Sequence, residues 1–472
     1  MIFNTFDFLW LFPIIFGVYY LLAYRQALVD KFPKIGNAVL LVISYGLYIK
    51  WNPVYALLLL GITAVTFFAA LKIEKDNAFG KKKYIVGTGI VLTVLPLLIF
   101  KYYNFFTTQF NEVFSWIGLE IGLPGLNWIM PLGISFFTLQ AIGYLADVYL
   151  QRIKAEHNWW DYMLFICFFP QIASGPISKA KDLLPQIKAK RVFSETQFVQ
   201  GCKWLLWGMF MKVVVADRLG MNVNDAYLHL STGGGATLFY ASIFYSMQIY
   251  CDFAGYSFMA VGVGEILGFE LINNFNRPYF SQSITEFWRR WHISLSTWLK
   301  DYIYIPLGGS RCSKPRNYLN IMITFLVSGL WHGANWTFIV WGSLHGIFQI
   351  IEKALGLNTR MSKGWVKWMR VLVTFMLVNF AWIFFRLPTF DQAFSVINRI
   401  FTNFSGSFTT WIPCLLFSSI VFFKDLMDEY DIKPLRFLHS PYRIIRWSTY
   451  VLLLFMIMVF GVYGGQFIYS GF

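Results

Sequence analysis

Charge is scarce in this sequence: 13% of its 472 residues are Asp, Glu, Lys or Arg, and 57% are hydrophobic. Soluble domains carry roughly 25% charge and 45–50% apolar residues, so an ordinary soluble fold is excluded. Acid is scarcer than base, with 24 Asp and Glu against 39 Lys and Arg, a formal net charge of +15. In a soluble chain that balance would suggest nucleic acid. Here the cations sit in short connections between apolar runs, the positive-inside pattern of a membrane protein, and no nucleic-acid partner is expected. Cysteine is sparse and scattered (Cys167, Cys202, Cys251, Cys312 and Cys414), with no CxxC pair. Buried small hydrophobes are expected rather than metal ligands or disulfides. Also missing are a Gly-x-Ser-x-Gly elbow, an HExxH motif and a Walker loop, which removes support for serine-hydrolase, zinc-protease and P-loop ATPase readings. No internal repeat is visible. The stretch from Met1 to Tyr24 lacks the basic start and small-residue cleavage site of a removable signal, so it is read as the first span.

What is present is hydrocarbon-length apolar sequence, repeated. A helix needs about 20 residues to cross the bilayer core. Thirteen apolar runs between Phe6–Tyr24 and Tyr450–Ile468 qualify as candidates, among them Trp128–Tyr149, Tyr162–Ile177 and Leu238–Ile266. Several are short or broken by Gly and Pro. The expectation is an all-α polytopic membrane protein forming one domain over 1–472, with about eleven full spans plus re-entrant and interfacial pieces. Lys31 and Lys34 after the first run, and Lys72, Lys75, Lys81, Lys82 and Lys83 after the third, place those loops in the cytoplasm. Both termini, including Gly471–Phe472, are then expected outside.

The basic stretch Arg277–Arg316 holds seven Lys or Arg against Glu286 and Asp301. Ser283 and Glu286 have capping-box spacing, so a helix can start there. Beyond them Ile284, Phe287, Trp288, Trp291, Leu295, Trp298, Leu299 and Tyr302 share one helical face, and Thr285, Arg289, His292 and Ser296 another. One interfacial helix is predicted, ended by Pro306 and Gly308-Gly309. The Gly233-Gly234-Gly235 run reads as a flexible loop, and Gly264 and Gly268 as a small-xxx-small helix-packing pair.

Ionisable groups at membrane depth cost free energy, which makes each a functional suspect. His332 lies in Val327-Ser-Gly-Leu-Trp-His-Gly-Ala-Asn-Trp336, about 15 residues or roughly 20 Å past the last Arg of the basic loop. A neutral imidazole there can act as general base toward a hydroxyl, or can simply be a packing histidine bonded to a neighbouring helix. Gly329 and Gly333 beside it allow a substrate or another backbone to come close. His292 reads either as a solvated surface histidine or as a group that orients a donor. Arg289 and Arg290 suit phosphates of a nucleotide-like donor, or anchor the loop at the membrane surface. His345 is read as a structural hydrogen bonder. Gln248 and Asp252 interrupt an apolar span, as a buried network or a tunnel wall; the acid needs a partner, from Arg, His or backbone amides. Trp331 and Asn335 flank His332 as further tunnel candidates. No metal site is expected.

Several longer motifs carry a resemblance. They are Pro131-Leu-Gly-Ile-Ser-Phe-Phe-Thr-Leu-Gln140, Phe168-Phe-Pro-Gln-Ile-Ala-Ser-Gly-Pro-Ile177, Gln248-Ile-Tyr-Cys-Asp-Phe-Ala-Gly-Tyr-Ser257, Asn274-Phe-Asn-Arg-Pro-Tyr279, Glu286-Phe-Trp-Arg-Arg-Trp-His-Ile-Ser-Leu-Ser296, Tyr304-Ile-Pro-Leu-Gly-Gly309 and Ser328-Gly-Leu-Trp-His-Gly-Ala-Asn-Trp336. In this order they resemble the membrane-bound O-acyltransferases, in the bacterial branch of alginate O-acetylation. The resemblance implies a ring of helices around a thinned centre, where an external funnel meets a cytoplasmic tunnel. It implies His332 as the catalytic histidine and His292 as the second site residue. It also implies an acetyl thioester donor, acetyl-CoA or a carrier protein, with no tightly bound cofactor. The acceptor it implies is an extracytoplasmic polysaccharide or a periplasmic acetyltransferase partner, with membrane lipid around the chain and the bacterial inner membrane as location. D-alanyl transfer to teichoic acid and peptidoglycan O-acetylation are sister activities. A proton-coupled transporter or flippase, and a scaffold that only recruits acetyltransferases, are the readings from other classes.

Overall fold

A computed structural model of the chain describes residues 3–24, 30–32, 34–119, 121–230, 232–358, 362–433 and 436–465. The expected end of the last span at Ile468 and the outward placement of Gly471–Phe472 lie outside the described residues. So does Met1, where the first span was read to begin.

No strand occurs among the described residues, and the architecture is helical throughout. In chain order the helices are α1 Phe6–Tyr24, α2 Ile35–Trp51, α3 Pro53–Lys75, α4 Phe79–Trp116, α5 Ile134–Tyr149, α6 Trp159–Cys167, α7 Phe169–Ile172, α8 Ala180–Lys188, α9 Glu195–Met209, α10 Asp217–Leu228, α11 Gly235–Ile266, α12 Ile284–Arg290, α13 Ile293–Leu299, α14 Lys314–His332, α15 Trp336–Ala354, α16 Gly364–Arg386, α17 Phe390–Thr402, α18 Ile412–Glu429 and α19 Arg443–Phe460. Two wider-wound π segments, Phe210–Ala216 and Lys300–Tyr304, continue α9 and α13.

Among the described residues, six helical stretches are long and apolar enough to cross a membrane: Pro53–Lys75, Phe79–Trp116, Glu195–Leu228, Gly364–Arg386, Thr409–Glu429 and Arg443–Phe460. Asp7–Ala23 and Ile35–Trp51 are shorter apolar helices. The chain is thus a multi-pass membrane protein. Several runs read as spans are interrupted in the structure. Tyr162–Ile177 breaks at Phe168, between α6 and α7. Trp128–Tyr149 becomes helical only at Ile134, after Gly133 takes a positive φ of 72°. A Cβ at Gly133 would stand 1.8 Å from the Ile172 carbonyl oxygen, so no other residue fits that turn.

Backbone contacts group the chain into two compact units: the described parts of 1–201 with 263–272, and of 202–262 with 273–465. In the first, α3, α4 and α5 pack together, and the Tyr162 hydroxyl donates to Thr66 Oγ1 at 2.7 Å in the buried interior. The tightest element of the second is the α14/α15 hairpin. A Cβ at Gly329 would lie 2.4 Å from the Phe338 oxygen, and one at Gly342 would lie 2.4 Å from the Phe325 oxygen. Of the two uses expected for Gly329, the structure shows the approach of another backbone. Gly208 and Gly255 make a second such crossing, with a Cβ at Gly208 only 2.5 Å from the Gly255 oxygen.

Three local expectations need correction. Gly268 takes φ +82° after α11 and serves as its C-terminal turn, with Phe269 N bonded back to Gly264 O at 2.8 Å, so it is a stop rather than a packing surface. Gly234 and Gly235 are not a flexible loop: Gly235 N donates to Asn403 O at 2.7 Å, and a Cβ on Gly234 would strike the Ser405 oxygen at 2.0 Å. Cys202 is exposed, whereas Cys167, Cys251 and Cys414 are buried as expected.

Candidate functional site

The predicted interfacial helix starts where the capping signal puts it. Ser283 is extended and its hydroxyl accepts the Glu286 amide at 3.0 Å, while the Glu286 carboxylate reaches back to the Gln282 amide at 2.8 Å. It then breaks. His292 takes φ +43°, a left-handed conformation that costs a non-glycine residue of order 1 kcal/mol or more, splitting the stretch into α12 and α13. Asn274 holds the break: its carbonyl accepts from Ile293 N and its side chain from Ser294 N, both at 3.0 Å. The kink carries His292 off the polar face and into the interior, where it is fully buried. The surface reading of His292 is therefore wrong, because periodicity assumed one unbroken helix. Burial first, and then the neighbouring His332, hold its pKa well below the usual histidine value.

His332 is the last residue of α14 and 2% exposed. Its Nδ1 lies 2.7 Å from the Ser328 carbonyl oxygen one turn back. A carbonyl can only accept, so Nδ1 carries the proton and Nε2 is the basic nitrogen of the neutral ring. Aromatic rings fix the imidazole on several sides, with centroids 4.8 Å away for Trp331, 4.7 Å for Trp341 and 5.4 Å for Phe385. Trp331 also faces His292, at 5.9 Å, so the two histidines share one indole wall. His345 joins the cluster from α15: it packs 5.1 Å from Trp341, and its Nδ1 accepts from Trp288 Nε1 at 3.3 Å. Its expected structural role holds.

A cavity of about 530 Å³ opens beside this cluster. Its lining includes Ser328, Phe325 and Trp288 together with the cations Arg289, Lys300 and Lys353. Of the two arginines singled out in the sequence, only exposed Arg289 lines it. Arg290 spends both ends of its guanidinium on Glu429, at 2.8 and 3.1 Å, and pairs with Glu286 at 2.6 Å. It is a structural clamp and not a phosphate ligand.

Asn335 is likewise committed. Its side chain caps α15 by accepting from Thr337 N at 3.0 Å and donates to Pro388 O at 2.7 Å. Asp252 does have a partner, and it is none of the expected kinds: Lys212, from the buried π segment, bonds Asp252 at 2.5 Å and Asp217 at 2.7 Å. Gln248 lies on the same face of α11, one turn from Asp252. Lys212 was hidden because its apolar neighbours Phe210–Ala216 look like ordinary span. A lone Lys inside such a run was the available signal. Lys300 and Lys353 could not be found this way, since folding alone turns them toward one cavity. Among the described residues no cluster of three or more His, Cys, Asp or Glu could hold a metal.

Comparison with known proteins places this geometry in context. Residues 48–390 match the model of the MBOAT, membrane-bound O-acyltransferase family. The chain is similar to a probable alginate O-acetylase of Pseudomonas aeruginosa, 39% identical over 417 residues, covering 87% of this chain and 76% of the relative. It is 36% identical over 426 residues to the peptidoglycan O-acetyltransferase of Helicobacter pylori, covering 84% of this chain and 79% of the relative. The teichoic acid D-alanyltransferase of Streptococcus thermophilus is 26% identical over 366 residues, covering 72% of this chain and 80% of that one.

Proposed function

The chain belongs to the membrane-bound O-acyltransferase family and is an enzyme of acyl transfer; from that premise we propose that it moves an acetyl group from a thioester to a hydroxyl of an extracytoplasmic polysaccharide of the alginate type, or of a periplasmic partner protein that relays it. The observation that carries the mechanism is the His332 Nδ1 to Ser328 carbonyl bond, with the cavity wall at the same Ser328. It leaves Nε2 to take the acceptor hydroxyl proton. The oxygen then attacks the acetyl carbonyl, the carbon–sulfur bond breaks, and the departing thiolate recovers the proton from the imidazolium. His292, beyond Trp331, orients the donor. The family's chemistry needs no tightly held cofactor, because the acyl group arrives on its carrier.

Arg289, Lys300 and Lys353 suit the phosphates of coenzyme A or of a carrier protein's pantetheine arm. Both termini are assigned outside an inner membrane, with this cation-lined mouth on the cytoplasmic side. The whole chain 1–472 is read as one catalytic domain, since the family match runs through both compact units. The 36% relative supports a second reading, peptidoglycan as acceptor.

The test is acetyl transfer by membranes bearing the wild-type chain or His332→Ala, with radiolabelled acetyl thioester. Loss of transfer by about 10²–10⁴-fold is expected. Transfer at the wild-type rate by His332→Ala would overturn the mechanism and leave a scaffold role.

A further inference from the structure

The cation-lined cavity follows one face of α14. On that helix its lining runs from Ile321 through Thr324 and Phe325 to Ser328, one turn short of His332. Thr324, Ser328 and His332 are spaced four apart, so their side chains stack on the same face. Two of the three are engaged within the helix: Thr324 Oγ1 donates to the Asn320 carbonyl at 2.7 Å, and His332 Nδ1 lies 2.7 Å from that of Ser328. A bond to the carbonyl one turn back is common for a hydroxyl in a helix, and Ser343 repeats it on α15, donating to Ile339 O at 2.8 Å.

Ser328 departs from that habit. It is 0% exposed, yet its Oγ makes no hydrogen bond. A buried hydroxyl without a partner costs stability, so this one serves something other than the fold. It lines the cavity, it can donate, and it stands one helical turn from the base. The backbone around it offers no substitute, since the amides of α14 are spent on the helix itself.

Acyl transfer needs such a donor. Charge gathers on the carbonyl oxygen as the hydroxyl attacks, and an oxyanion donor acts at about 2.7–3.1 Å from it. The base acts at about 2.6–3.2 Å from the attacking oxygen. Both oxygens sit on one carbon, so donor and base must flank a single atom. Residues four apart on a helix, with Cβ atoms about 5–6 Å apart, can do that.

We propose that Ser328 is a catalytic residue that donates its hydroxyl to the thioester carbonyl oxygen and stabilises the oxyanion of the tetrahedral intermediate. The acceptor oxygen bonds to the acetyl carbon as His332 Nε2 takes its proton, and the carbonyl π pair moves onto the oxygen that Ser328 holds. The carbonyl then reforms, the carbon–sulfur bond breaks, and the thiolate takes the proton from the imidazolium. Ser328 keeps its own proton throughout and is not acylated. This deepens the reading of His332 as the base and rests on it.

The test compares wild type, Ser328→Ala, Ser328→Cys and His332→Ala as full chains in membranes, with radiolabelled acetyl-CoA as donor. Ser328→Ala should lower kcat by about 10²–10³-fold, with the donor KM within about twofold of wild type. Ser328→Cys, which keeps only a weak S–H donor, should fall between the two. The pH dependence of kcat/KM should stay unchanged in both serine variants, because the base is intact. The melting temperature of Ser328→Ala should equal or exceed that of wild type, because the hydroxyl makes no bond in the fold. Transfer within about twofold of wild type by Ser328→Ala overturns the proposal. A fall in rate that comes with a lower melting temperature or a shifted pH profile also overturns it, by assigning Ser328 a structural role. So does an acetyl group found on Ser328 of the wild type incubated with donor alone, which would make it a nucleophile. Normal transfer by His332→Ala, or none by wild type, sinks the underlying mechanism and this step with it; loss in His332→Ala beside normal transfer in Ser328→Ala sinks this step alone.

Discussion

At the scale of single residues, buried polar groups set both chemistry and stability. His292 illustrates the second. The folded chain keeps it neutral where an unfolded one would take up a proton, below about pH 6.5. Its depressed pKa therefore costs nothing above that pH and destabilises below it, by up to about 1.4 kcal/mol per pH unit. Melting temperatures of the detergent-solubilised chain should fall on acidification below about pH 6.5, and His292→Asn should make that fall shallower. Lys212 is the larger stake. Lys212→Ala strips two buried carboxylates of their cation and should cost about 3–5 kcal/mol, read as a loss of thermal stability. Adding Asp217→Asn and Asp252→Asn to it should restore much of that loss, because the uncompensated charges go with it.

At the scale of elements, the site depends on a hairpin that only glycine permits. The α14 and α15 backbones come so close at Gly329 and Gly342 that a single methyl group would overlap a carbonyl oxygen at 2.4 Å. Gly342→Ala should destabilise by about 1–3 kcal/mol and shift the His332 and Trp341 rings, lowering the maximal rate as well as the melting temperature. The cavity beside that hairpin draws its cations from three elements: Arg289 from α12, Lys300 from the π segment after α13 and Lys353 from α15. Replacing each in turn by Ala should raise the donor KM by about three- to tenfold with little change in maximal rate, as expected for lost uniform binding. An unchanged donor KM in all three would place the phosphates elsewhere.

At the scale of the whole molecule, the proposed reaction joins reagents that a bilayer keeps apart. A charged thioester donor does not cross hydrocarbon, so the proposed transfer requires donor and acceptor to arrive at opposite faces. In sealed vesicles of uniform orientation, acetylated glycan should form when donor and acceptor are supplied on opposite sides, and not when both are on one side. Equal yield in the two arrangements would argue for a site open to a single face.

Much of this was written in the sequence. Hydropathy and the scarcity of charge determined a multi-pass all-α chain, because lipid demands long apolar helices whatever their packing. The Ser283 and Glu286 cap fixed a helix start through contacts within four residues. The motif around His332 marked the residue whose ring ends α14. What was not local was not legible. His292 looked like a surface residue because a helical wheel cannot foresee that Asn274, eighteen positions earlier, will hold a left-handed kink and turn the imidazole inward. The role of Arg290 was decided by Glu429, the partner of Asp252 by Lys212, and the cation-lined cavity by three separated elements. Periodicity reports which face of an element a residue occupies; only the tertiary structure decides what that face meets, since burial, hydrogen bonding and charge pairing are made between segments far apart along the chain.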